Sequence, residues 1–373
     1  MHRCNIIWQG FPVLIVGTTD KDKKFHPFGT AVCTFEDEND FAFIFNSVKD
    51  LLKETLTIDY KPSILVADAS SAITNGFEQA FGPFTFRVVC WAHVIRNVDK
   101  KLMLVSDRKM QASIRADICS IQIATNEERF DLAMQLFFQK WRRQGTLTAE
   151  FLDYFNAQSV TNNKGWFEGY ASSVPSTNNA LESFNRNIKD HQMFGVRSAI
   201  GQFFEKLKQQ ILRRWSEDRD PSSLNCCRYS ETPTYSLQDK TNAYQWLQKN
   251  KTVIKKKMSR DVTLHFVPSS RSSNTIDIID VENYLAAYNE EVWPDLDSFL
   301  QSENSLYPIQ YREFELSNCR CPFFLKHYKC KHVLGLAYLK KDIEIPLQAK
   351  QIEVGAKRKR GAPVKNRAAL IRQ

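Results

Sequence analysis

The sequence predicts an α/β protein in which a mixed sheet with helices is interrupted by an all-α insertion and followed by a small ββα-type zinc finger. Two observations along the chain lead to this prediction. The apolar residues of the first 93 positions occur in short runs typical of strands, whereas those that follow are spaced as on amphipathic helices. In addition, three cysteines and two histidines fall within Cys319–His332, which indicates a metal site.

The predicted sheet lies in the first 93 residues, together with one helix. Strands are predicted at Phe11–Asp20, His26–Phe35, Ser63–Ser71 and Thr85–His93, and a helix at Asn39–Leu56. The third strand carries Asp68 at the end of its apolar run, where a carboxylate can face a cleft at the carboxyl edge of a sheet. An aspartate after an apolar strand is more often a turn former or a helix cap. The residue alone leaves both interpretations open.

Helical spacing dominates after His93. A capping-box pattern at Thr125 and Glu128 predicts the start of a helix whose apolar stripe extends to Trp141. Asn178 predicts the cap of a later helix, which carries Glu182 away from its apolar stripe. A helical glutamate is usually a solvated charge, but this one lies on a helix that could pack against the predicted sheet.

The cysteine-rich stretch follows the pattern C-x-C-x8-C-x-H, with the ligands Cys319, Cys321, Cys330 and His332. The preceding Tyr311–Leu316 alternates as in a strand, which would place the first two cysteines on one face. The apolar run after the last histidine predicts a helix. Two nearby pairs of soft or borderline ligands favour a closed tetrahedral site for structural Zn²⁺. The alternative is a set of ordinary buried thiols beside a surface histidine.

The same stretch resembles the SWIM zinc finger, whose signature is C-x-C, a spacer, C-x-H and a helix. The resemblance spans Tyr311–Leu339 and includes all four ligands, and His327 inside the loop ranks well below His332 as a ligand. It implies a module that binds DNA or protein partners and performs no chemistry itself.

Two further segments, Val66–Leu102 and Ser176–Lys189, resemble the Mutator-like element (MULE) transposases. The resemblance covers about Trp8–Lys189, and a SWIM finger downstream is the expected companion of such a domain. It implies an RNase H-like fold with a helical insertion. It also implies a triad of acidic residues that binds two divalent metal ions, Mg²⁺ or Mn²⁺, for the transfer of DNA strands.

Residue by residue, the resemblance implies a role for four side chains. Asp68 matches the second acid and Glu182 the third, whereas Cys90 and His93 match a C-x-x-H motif whose role, structural or metal-binding, stays open. We expect the position of the first acid, and most of the first strand, to lie before Met1. We therefore expect impaired catalysis, with Mg²⁺ or Mn²⁺ bound only if the catalytic centre is intact.

The net charge of +9 is concentrated at the C-terminus, since seven Lys or Arg residues and no acid lie within 356–373. Part of this tail resembles an AT-hook with one arginine replaced by Ala362, and its predicted DNA contacts are Lys357, Arg358, Lys359, Arg360 and Lys365. The same residues predict localisation to the nucleus. Nine cysteines without framework spacing favour a reducing compartment. No apolar run is long enough to predict a membrane span.

The predicted division of the chain is a sheet part at 1–93, a helical insertion at 94–175, helices completing the transposase-like domain at 176–215, a linker and helical region at 216–300, the finger at 301–342 and the basic tail at 343–373. We expect a zinc-binding, DNA-associated nuclear protein derived from a MULE transposase. The alternatives are a domesticated transcriptional regulator, resembling the plant far-red-response factors, and an active transposase whose start lies upstream. A homo-oligomer and protein partners of the finger are compatible with all three.

Overall fold

The computed structural model describes residues 7–192, 196–224, 226–249, 252–269 and 275–351. Its strands form three small sheets. In the first, β1 (Val13–Thr19) pairs antiparallel with β2 (Phe25–Val32), and in the second, β3 (Ile64–Ala67) pairs in parallel with β4 (Phe86–Val89). The third is antiparallel and joins, in this order, β5 (Ile254–Lys257), β6 (Thr263–Pro268), β7 (Leu306–Gln310) and β8 (Asn318–Cys319).

The two N-terminal strand pairs are united by helices α1 (Glu38–Leu56) and α2 (Ser71–Phe81), which pack on each other and on the strands. Phe45 of α1 and Phe77 of α2 share one buried cluster with Leu14 of β1 and Leu65 of β3. Among the described residues no backbone ladder joins the antiparallel pair to the parallel pair. The predicted α/β class is confirmed, whereas a continuous mixed sheet is not seen and the RNase H-like topology stays a prediction.

The middle of the chain is helical. Its helices are α3 (Trp91–Lys101), α4 (Arg108–Ile121), α5 (Glu127–Arg142), α6 (Thr146–Phe155), α7 (Asn179–Asn187), α8 (Ile200–Lys206) and α9 (Arg213–Arg219). Wider π-type turns extend three of these helices, at Asn156–Thr161, Ile188–Gln192 and Leu207–Leu212. Phe130, Phe137 and Trp166 are fully buried in the core of α3–α6. No helix in the described ranges has both the length and the apolarity needed to cross a bilayer.

Two predicted boundaries in this region are wrong. The strand predicted at Thr85–His93 ends at Val89. The N–H of Cys90 still donates to Ala67 of β3, but the N–H of Trp91 donates to Ser176 outside the ladder, and α3 begins there. His93 is therefore helical. The helix predicted to start from a capping box at Thr125 is capped by Asn126 instead, whose side chain accepts from the N–H of Arg129 at 2.9 Å.

The C-terminal part surrounds the third sheet with helices. These are α10 (Leu237–Gln248), α11 (Ile278–Tyr288), α12 (Leu296–Glu303), α13 (Pro322–His327), α14 (Lys331–Lys340) and α15 (Leu347–Lys350). The segment 216–300, expected to hold a linker and helices, also contributes β5 and β6 to the sheet of the finger.

The strand predicted at Tyr311–Leu316 is also wrong. The strand lies earlier, at β7, and a loop with a single 3₁₀ turn at Phe314–Leu316 follows it. The hydroxyl of Ser317 accepts from the N–H of Arg312 at 3.1 Å and donates to the carbonyl of Glu313 at 2.7 Å. These bonds curl the backbone into a loop, so alternation in the sequence did not indicate a ladder here.

Two sets of contacts attach the C-terminal part to the rest of the molecule. Arg129 of α5 is buried and donates to Glu303 of α12 at 2.6 Å. On another side, the Nζ atoms of Lys21 and Lys23, in the turn between β1 and β2, lie 5.0 and 5.4 Å from the ring centroid of Tyr328. Tyr328 lies between α13 and α14, so the finger directly contacts the turn that joins the two N-terminal strands.

Candidate metal sites

The four predicted ligands of the finger converge from three elements. Cys319 ends β8, Cys321 and Cys330 are the N-cap residues of α13 and α14, and His332 is the second residue of α14. A polar side chain at an N-cap turns back toward the first N–H groups of its helix. This geometry brings the two capping sulfurs toward the end of β8.

The ligand atoms of these four buried residues all lie within 4.8 Å of one another. Cys319 Sγ is 3.8 Å from His332 Nδ1, near the ~3.6 Å that separates sulfur and nitrogen ligands on one tetrahedral Zn²⁺. Each sulfur also accepts a backbone N–H at 3.3–3.4 Å, from Cys321, Phe324 and Val333. The predicted Cys₃His set is therefore brought together, and it fits a structural zinc ion.

The electrostatics of the site also favour a bound cation. Burial raises the pKa of Cys319 and of Cys330, because a thiolate lacks a compensating charge in these surroundings. Burial also acts to raise the pKa of Cys321, but hydrogen bonds from the neighbouring sulfurs and from His332 outweigh it and lower that pKa. A divalent ion would supply the positive charge that stabilises the thiolates of this group.

A layer of aromatic rings backs the finger site. The indole of Trp246, on α10, meets the His332 ring edge-on at 5.5 Å between centroids, and Tyr307 contacts the same ring at 5.6 Å. His327, the lower-ranked candidate ligand, packs on Phe323 at 4.4 Å and does not belong to the four-ligand group. The structure agrees with the choice of His332.

The other predicted site residues gather where the parallel strands end. Asp68 follows β3, Cys90 follows β4, His93 lies in the first turn of α3 and Glu182 in the first turn of α7. The N–H of Cys90 donates to the carbonyl of Ala67 at 2.8 Å, which fixes one strand end against the other. The carboxyl edge of this strand pair thus carries the cluster, as expected of a site in an α/β layer.

Cys90, His93 and Glu182 form a close group, with ligand atoms within 4.8 Å of one another. His93 Nε2 lies 3.4 Å from Glu182 Oε1, and Arg96 Nη2 lies 3.1 Å from Glu182 Oε2. The Cys90 thiol donates to Asn178 Oδ1 at 3.0 Å and accepts from the Asn178 N–H at 3.4 Å. The C-x-x-H motif and the third predicted acid thus meet in one group.

Asp68 lies nearby, outside that group. Its carboxylate accepts the N–H of Ser70 at 3.2 Å. Burial lowers the pKa of His93, and the charges of Glu182 and Asp68 act in the opposite direction. Both predicted acids are therefore close enough to act on one imidazole, although Asp68 belongs to no three-ligand group found among the described residues.

These surroundings do not suit a pair of Mg²⁺ ions. Mg²⁺ takes oxygen ligands in octahedral geometry, whereas the group around Glu182 consists of one sulfur, one nitrogen and one carboxylate. The carboxylate is also engaged by Arg96 and His93.

Three residues that shape the cluster were missed in the sequence. Arg87 of β4 donates to the carbonyls of Asp68 and Val88 and to Thr74 Oγ1, and burial lowers its pKa to about 10. A basic residue in an apolar strand was the available signal. The other two, Arg96 and Asn178, contact the cluster across long sequence separations that local patterns do not encode.

The predicted DNA contacts Lys357, Arg358, Lys359, Arg360 and Lys365 lie outside the described residues. In comparisons with known proteins, residues 303–341 match the SWIM zinc finger family. The match covers the four-ligand group and the helix that follows it. A search of curated proteins found no match for the chain.

Proposed function

We propose that the chain is a zinc-binding, DNA-associated protein of MULE-transposase descent that does not itself transfer DNA strands. The observation that carries the zinc-binding part of the proposal is the buried Cys₃His group at Cys319–His332 within the SWIM match, whereas MULE descent rests on the sequence resemblance alone. A closed four-ligand site stabilises the fold of a small module rather than activating a substrate. Its expected role is to present a surface to DNA.

Zinc content tests the first part of the proposal. Cys319→Ser is expected to remove one equivalent of tightly bound zinc from the purified full chain, as measured by elemental analysis. Cys33→Ser is the matched control, because Cys33 is also a buried thiol but belongs to neither ligand group. Equal zinc content in the two variants would contradict a metal site at the finger.

A basic edge beside the finger supports contact with DNA. Lys255 and Lys257 are exposed on β5, the outer strand of the third sheet among the described residues, while Lys256 between them pairs with Glu282 at 3.1 Å. Exposed lysines on an edge strand have a second known role, which is to prevent that edge from pairing with a strand of another molecule. What distinguishes the two roles is whether these charges bind phosphate.

Salt dependence separates those roles. Fluorescence anisotropy with duplex DNA is expected to show binding that weakens steeply with salt, and charge reversal of Lys255 and Lys257 is expected to reduce the slope of log K against log salt by about 2. A control with two reversals elsewhere, Lys208→Glu and Lys53→Glu, matches the change in net charge. If log K depends equally on log salt in both double variants, the lysines of β5 do not bind phosphate and serve only to prevent pairing with another strand.

The absence of strand transfer is tested directly. We expect no joined product from the full chain with Mg²⁺ or Mn²⁺, because Glu182 is engaged by Arg96 and His93 rather than grouped with other carboxylates. Efficient joining would favour an active transposase instead. The same engagement of Glu182 supports a domesticated transcriptional regulator as the second candidate, and for either DNA-associated role we propose that the protein acts in the nucleus.

A further inference from the structure

The group at the ends of β3 and β4 suits a different ion from the one that the family resemblance implies. We infer that Cys90, His93 and Glu182 bind a second transition-metal ion of the Zn²⁺ type, in a three-ligand site with one coordination position open. This inference goes beyond the proposed function, because the site shares no ligand with the finger and needs no DNA.

The spacing of the donor atoms carries the inference. His93 Nε2 and Glu182 Oε1 are 3.4 Å apart. A direct N–H···O hydrogen bond spans about 2.7–3.2 Å, whereas nitrogen and oxygen ligands on one tetrahedral Zn²⁺ stand ~3.4 Å apart. Cys90 Sγ lies within the same 4.8 Å group. The three atoms are thus close enough together to bind one ion.

The donor types select the class of ion. Thiolate and imidazole favour Zn²⁺ or Co²⁺ over Mg²⁺, which prefers oxygen. One thiolate and one carboxylate also balance the two charges of the ion. Three protein ligands leave a fourth position for water or for a small anionic or neutral ligand, in contrast to the closed site of the finger.

Contacts behind the ligands hold them in place. Arg96 Nη2 engages Glu182 Oε2 at 3.1 Å, which leaves Oε1 directed at His93. The Asn178 N–H donates to Cys90 Sγ at 3.4 Å, a contact that remains favourable when the thiol becomes a thiolate. The amide of Asn178 now accepts the thiol proton, and a half-turn would let its NH₂ donate to the thiolate instead. Such outer contacts are characteristic of metal sites.

Metal stoichiometry is the first test. The full chain, dialysed against Zn²⁺ with a weak competing chelator, is expected to retain two equivalents. His93→Ala and Cys319→Ser are each expected to retain one, and the double variant none. Because the two sites share no ligand, the zinc contents of the variants show which site does not bind metal: a chain without the finger site would lose no zinc in Cys319→Ser, and a chain without this site would lose none in His93→Ala.

Cobalt spectroscopy identifies the ligands. In the Cys319→Ser background, Co²⁺ is expected to produce a thiolate-to-metal absorption that Cys90→Ser abolishes and that Cys33→Ser retains. Glu182→Gln is expected to weaken Co²⁺ binding about tenfold or more. Because this substitution keeps the size of the side chain, it tests the site even if the His93 variant does not fold. Circular dichroism verifies the fold of each variant.

Two results would overturn the inference. One is a single zinc equivalent in the wild type that Cys319→Ser removes completely. The other is Co²⁺ absorption that persists unchanged in folded Cys90→Ser and Glu182→Gln variants, since the metal would then be bound elsewhere.

Discussion

Gly335 lies where α14 packs on α10, and it offers a quantitative test of the support behind the finger site. A Cβ added at this position would stand 2.5 Å from Cε3 and 2.7 Å from Cζ3 of Trp246. Non-bonded carbon atoms normally stay about 3.5–4.0 Å apart, so the indole or the helix would have to move by ~1 Å. The same indole contacts the ring of His332. Gly335→Ala should therefore affect both stability and zinc binding.

A matched control isolates the steric contribution. Gly201 is exposed near the start of α8, and a Cβ there meets nothing within 4 Å. Replacing an exposed helical glycine by alanine stabilises a protein by ~0.5–1 kcal/mol. The same gain acts at Gly335, but overpacking costs ~1–3 kcal/mol. The free energy of unfolding of Gly335→Ala should thus be lower than that of Gly201→Ala by ~1–3 kcal/mol.

Urea unfolding of the zinc-loaded full chain, followed by far-UV circular dichroism, measures this difference. Competition with a chromophoric chelator measures zinc affinity, which we expect to fall in Gly335→Ala alone because displacement of Trp246 disturbs His332. Equal unfolding free energies and equal zinc affinities for the two alanine variants would refute the idea that Trp246 constrains the finger.

Two further predictions concern buried charges. Arg129→Met removes the cation that Glu303 hydrogen-bonds and leaves it only the charge of Arg320, so it should destabilise the fold by up to ~3–5 kcal/mol near neutral pH. Since burial raises the pKa of Glu303, this loss of stability should shrink as the pH falls, and a loss that does not change with pH would contradict the reasoning. Burial, aided by the charges of Lys340 and Lys255, lowers the pKa of His265 to about 4. The stability that neutral His265 contributes is therefore fully present above its unfolded-state pKa of ~6.5 and is lost as the pH falls through its folded-state pKa. Urea titration measures the free energy of unfolding at each pH. Between pH 7 and 4 that free energy should fall by up to ~3 kcal/mol more in the wild type than in His265→Gln. Equal falls in the two proteins would show that protonation of His265 does not cause the loss.

Local spacing explains why the finger could be predicted. Its four ligands lie within fourteen residues, so the chain itself brings them close, and the helix after His332 follows from its apolar run. The proximity of Cys90 and His93 follows in the same way from a separation of three residues. Their meeting with Glu182 was suggested only by family resemblance, because nothing local relates α3 to α7.

Other features depended on contacts that sequence patterns do not reveal. The polar segment that forms β5 has no apolar alternation, and it becomes a strand because β6 supplies a partner. Conversely, Tyr311–Leu316 alternates but is drawn into a loop by Ser317. In both cases long-range or side-chain hydrogen bonds override local propensity.

The contact between the β1–β2 turn and Tyr328 has a consequence for how the finger reaches a binding partner. A module on a flexible tether explores many orientations, and its reach is set by the length of the tether. Here Lys21 and Lys23 hold Tyr328 on one side and Arg129 holds Glu303 on another. The finger therefore has one fixed orientation relative to the cluster around His93, so a partner that contacted both would have to present its two contact surfaces at a set distance and angle.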